Sequence, residues 1–98
     1  MPTAPNDLNP RGLAEAAQDL AGVQTQARGF TSRLLRSKTF AAKFDEALMR
    51  RNEKAIRDML REAGVSGRVT LEEINPDRKI SIKLCGPRGR CITFELEY

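Results

Sequence analysis

Three short segments near the C-terminus constrain this chain more than any other feature. Residues 68–73, 79–85 and 91–98 alternate apolar and polar side chains at period two, the pattern of strands with one dry face and one wet face. Turn-forming residues separate them: Asn75-Pro76-Asp77-Arg78, then Gly86-Pro87-Arg88-Gly89-Arg90. Placing Cys85 opposite Cys91 sets the second hairpin. Leu84 then faces Ile92, Ile82 faces Phe94 and Ile80 faces Leu96, all on one side. Lys83–Thr93, Ser81–Glu95 and Lys79–Glu97 fall on the other. A slip of one residue would move every apolar side chain into water, so the register is strongly specified. Pairing Asn75 with Arg78 sets the first hairpin likewise, with Leu71 against Ile82 and Val69 against Leu84. Glu73 and Ile74 then sit on the wrong faces, which suggests a bulge near that turn.

A sheet with one dry face needs a cover. The strongest helical periodicity runs from about Thr39 to Ala63, through Phe40, Phe44, Ala47, Leu48, Ala55, Ile56, Met59 and Leu60. Asn52 interrupts it, and Gly64 supplies a residue able to end it. The expected fold is therefore α+β: a long amphipathic helix packed on one face of a three-stranded antiparallel β-meander. Residues 31–98 form this domain. Phe30–Thr39 reads either as a short helix capped by Thr31 or as the first turns of the long helix.

Residues 1–30 read as a flexible N-terminal arm. Residues 1–8 are rich in Pro, Asn and Thr. Asn9-Pro10 is a favourable helix start, and Leu13, Ala17, Leu20 and Ala21 share a weakly apolar face. Gly22 weakens that face and Gln24-Thr25-Gln26 offers nothing to bury. The arm is thus expected as a marginal helix over 10–21, formed against a partner or another protomer.

Histidine and tryptophan are absent, which removes His-based triads, His-ligated metals and histidine pH switching. No paired carboxylates converge on one site. No catalytic residue, cofactor or metal site is expected, and no small-molecule substrate is indicated. No apolar run reaches the roughly 20 residues of a membrane span. The first residues lack the features of a signal peptide, so the expected location is cytoplasmic.

The chemistry-bearing residues form three sets. Cys85 and Cys91 face each other on the polar side of the second hairpin, with Arg68 beside Cys85. They read as ordinary strand residues, as a disulfide, as a redox pair whose thiolate the guanidinium would favour, or as half of a metal site shared between chains. Arg88 and Arg90 share the tip of a glycine-bearing loop that suits an anion, or a plain solvated turn. Arg50, Lys54, Arg57 and Arg61 recur at helical spacing as a basic stripe along the long helix. That stripe suits a phosphate backbone or a salt-bridged solvent face.

The formal charge is +4, but residues 1–37 carry four bases against three acids, 38–64 seven against five, and 65–98 six against five. No segment is a basic block of the sort that wraps nucleic acid. The expected function is a small non-enzymatic protein-interaction module, self-associating into a homo-oligomer through a sheet edge or a helix face. The alternative is nucleic-acid binding through Arg50, Lys54, Arg57, Arg61, Arg88 and Arg90. A secreted peptide with one disulfide is a third reading, and an enzyme the last.

Overall fold

Alternation of side chains produces the sheet it predicts. The computed structural model describes residues 10–74 and 78–98. It contains strands β1 (Arg68–Ile74), β2 (Lys79–Cys85) and β3 (Cys91–Glu97) in the order β1-β2-β3, all antiparallel. Both expected registers are present. Val69 pairs with Leu84 and Leu71 with Ile82, while Ile82 pairs with Phe94 and Cys85 with Cys91. Ile80, Ile82 and Leu84 are buried and Lys83 between them is exposed. The β1–β2 pairing runs unbroken to Ile74–Lys79, so the strands contain no bulge. The tail 1–8, the Asn9 cap, the turn at 75–77 and the side chains of Glu73 and Ile74 lie outside the described residues.

The cover is three helices rather than one. They are α1 (Pro10–Arg36), α2 (Lys38–Met49) and α3 (Glu53–Glu62). The expected continuous helix over 39–63 breaks at residues 50–52. Arg51 takes a left-handed conformation with φ of 54°. Asn52 then opens α3, its side-chain oxygen accepting from the Ala55 N–H at 3.1 Å. The break has a geometric reason. Leu48 and Ile56 are both buried, yet eight residues of straight helix would rotate them about 80° apart. Interrupting the helix lets both reach the core, and an Asn suits a cap better than a helix interior.

The N-terminal segment also differs from expectation. Residues 10–36 form one helix running through Gly22 and Gly29, so the division at residue 30 falls inside an element. The apolar stripe at Leu13, Ala17 and Leu20 is not what holds it. Val23 and Phe30 enter the core about a quarter of a turn away, with Ala27 and Leu34 packed against it. Gly29 lies beside the end of α3, where a Cβ would make an ordinary contact of 3.4 Å with the Ala63 carbonyl. Thr31 is interior to α1, its hydroxyl donating to the Ala27 carbonyl. The cap between α1 and α2 is Ser37, whose Oγ accepts from the Phe40 N–H at 3.1 Å.

Phe30 is the centre of the core. Its ring lies 5.0 Å from Phe44, 6.1 Å from Phe94 and 6.4 Å from Phe40, joining α1, α2 and β3. The contacts with Phe44 and Phe40 are edge-on, a geometry that adds about 0.5–1.5 kcal/mol beyond area burial. Among the described residues, no helix is long and apolar enough to cross a membrane.

Candidate interaction surface

The two cysteines are bonded to each other, with an S–S distance of 2.06 Å and Cα atoms 4.1 Å apart. Strand geometry explains why they meet. Gly86 N–H donates to the Arg90 carbonyl and Tyr98 N–H to the Arg78 carbonyl, so 86–90 and 78–98 are hydrogen-bonded pairs. Alternation then makes Cys85–Cys91 a non-hydrogen-bonded pair, the class with the closer Cα atoms. Arg68 pairs with Cys85 as expected, but a disulfide presents no thiolate for a guanidinium to favour.

The loop 86–90 is docked onto α1 rather than held open for an anion. Asp19, only 7% exposed, accepts from the Arg90 N–H at 3.0 Å. Arg88 forms an ion pair with Glu15 at 2.9 Å. Gly86 is required there, because a Cβ would collide with the Asp19 carboxylate. Two turns further on, Gln26 Oε1 accepts from the N–H groups of Ser66 and Gly67, at 3.0 and 3.1 Å. Gly67 leads into Arg68, which pairs with Cys85, so Glu15, Asp19 and Gln26 all fasten α1 to the same end of the sheet. These anchors were missed in the sequence because a Gln or Asp on a helix ordinarily reads as solvent-facing. The signal present was the i, i+4, i+11 spacing of three side-chain acceptors.

The basic stripe is shortened to Lys54, Arg57 and Arg61 on α3. Arg50 is the C-cap residue of α2 and pairs with Glu46 at 3.1 Å, while the other three lie on α3 beyond the break. Lys54 pairs with Asp58 at 3.2 Å, Arg57 with Glu53 at 2.9 Å and Arg61 with Asp58 at 3.6 Å. Arg57 has a second role. Its Nη1 donates to the Val69 carbonyl of β1 at 2.7 Å, occupying an acceptor on that edge of the sheet.

On the polar face, Lys79 and Glu97 form the ion pair their register implies, at 3.7 Å. A small recess of about 140 Å³ lies between the α2–α3 junction and the sheet, lined by Leu48, Ile56, Leu71 and Ile80. That is below the roughly 300 Å³ at which ligand pockets begin.

The opposite edge is different. Ile92, Phe94 and Leu96 of β3 pack against the core yet remain half-exposed. A groove of about 540 Å³ runs between them and the flank of α1 at Ala27, Arg28 and Thr31. The 100° helical step puts Leu13, Ala17, Leu20 and Leu35 on that same flank. Leu13 is 74% exposed and Leu35 is 82% exposed. The weakly apolar stripe of the sequence therefore faces away from the core. No protein-family model, curated protein or solved structure matches this chain.

Proposed function

We propose that this chain is a small non-enzymatic protein-interaction module that associates with itself. The observation carrying this reading is the half-covered apolar face of β3, which borders an open groove against α1. Contiguous apolar surface bordered by polar residues marks an association site. The polar groups most suggestive of chemistry are engaged in holding the fold. Asp19 fixes a loop and the cysteines close a hairpin.

Nucleic-acid binding is supported less well. Arg50, Lys54, Arg57, Arg61 and Arg88 each face a carboxylate, which a phosphate would have to displace. A bonded cysteine pair also suits an oxidising compartment better than the cytoplasm.

Light scattering on a size-exclusion column tests the reading. The expected mass at high concentration is a multiple of the 11.0 kDa chain, falling on dilution. A single-chain mass at every concentration overturns it.

A further inference from the structure

The two edges of the sheet are not equivalent. Ladder parity follows from the Gly86–Arg90 and Tyr98–Arg78 hydrogen bonds. On β3, Ile92, Phe94 and Leu96 bond inward to β2, so the backbone groups of Cys91, Thr93, Glu95 and Glu97 point outward. On β1, the same parity turns Val69 and Leu71 outward. The Val69 carbonyl is already taken by Arg57, so a strand approaching β1 meets a guanidinium in its path. Among the described residues no side chain bonds to the outward backbone of β3.

We infer that β3 is the self-association edge: it pairs antiparallel with β3 of a second copy about a two-fold axis at Phe94, forming a continuous six-stranded sheet. The inference rests on the self-association reading and specifies its surface. The strand is self-complementary in this register. Outward groups meet outward groups, with Thr93 opposite the partner's Glu95 and Cys91 opposite the partner's Glu97. On the apolar face, Ile92 meets the partner's Leu96, and the two Phe94 rings meet on the axis.

Neighbouring registers are worse. Moving the axis to Glu95 sets that carboxylate against its own copy, a destabilising like-charge pair. Moving it to Thr93 sets Leu96 against the partner's Arg90 and Glu97 against the partner's Gly89. Charge therefore selects the Phe94-centred register. The same two-fold leaves both sets of helices on one side of the enlarged sheet. The α1 flanks carrying Leu20, Thr31 and Leu35 then face each other across the β3–β3 seam, closing the groove beside Ala27 and Phe94.

Amide hydrogen exchange, read residue by residue at two concentrations of the oxidised chain, tests this alongside the mass in solution. The expected result is slower exchange of Thr93 and Glu95 amides where the mass is two chains. The outward amides of Val69 and Leu71 stay fast at both concentrations. Two variants accompany it. Thr93→Pro removes an N–H that makes no bond to β2 and obstructs an incoming strand. Leu35→Glu places a charge on the α1 flank without touching the core. Each is expected to weaken association about tenfold or more. If two-chain mass persists with Thr93 and Glu95 unprotected and both variants unaffected, the edge assignment fails while self-association stands. If the mass is one chain throughout, self-association itself fails.

Discussion

Asp19 is the one buried charged side chain among the described residues, and it holds the β2–β3 loop by the Arg90 N–H. A hydrogen bond to a charged acceptor contributes about 1.5–3 kcal/mol. Asp19→Ala is therefore expected to lower unfolding free energy by about that amount, and Asp19→Asn by less, since an amide oxygen still accepts. Urea denaturation of both variants checks the order. Two glycines give opposite signs by the same measurement. At Gly67 a Cβ would collide with the Cys85 carbonyl, which belongs to the paired backbone and cannot swing away. Gly67→Ala should destabilise by more than about 1 kcal/mol. At Gly22 a Cβ meets nothing within 4 Å. Gly22→Ala, in the interior of α1, should stabilise by about 0.5–1 kcal/mol.

At the scale of elements, both strand registers were legible, the unbroken pairing up to Ile74–Lys79 was not, and the helices were legible in part. Strand alternation has a period of two, and a register error there exposes every apolar side chain at once. That is why Cys85–Cys91 and Leu71–Ile82 could be placed from the residues alone. Helix 39–63 was legible as a stripe but not as two helices. Asn52 was visible as an interruption, whereas the 80° rotation that makes a break favourable depends on where the sheet lies. Helix α1 was the least legible, because its stability comes from Phe30 and from the polar anchors Asp19 and Gln26 rather than from a long apolar stripe. The basic stripe loses Arg50 for the same reason: Arg50 and Lys54 share a face only if residues 50–52 are helical. Asn52→Ala tests the break. Losing the cap on Ala55 should cost about 1 kcal/mol, with the loss of amide protection concentrated in the first turn of α3.

For the whole molecule, three helices cover one face of three strands, and the cover stops short at one side. The α3 side is closed by Arg57 on β1 and by Gln26 at the entry to that strand. The β3 side ends in half-exposed Ile92, Phe94 and Leu96 below a flank of α1 that carries Leu35. The +4 charge is largely distributed over local ion pairs, leaving little concentrated field to attract a polyanion. A DNA mobility-shift titration at low salt should accordingly show no shift at micromolar protein, where a basic binding protein would show a salt-sensitive one.

The measurement closest to the central claim is an isotope-filtered NMR experiment on an equal mixture of labelled and unlabelled chains. The account predicts intermolecular contacts between the two Phe94 rings and between Ile92 and the partner's Leu96. Intermolecular contacts at Val69 and Leu71 instead, or none in a sample whose mass is two chains, would contradict it.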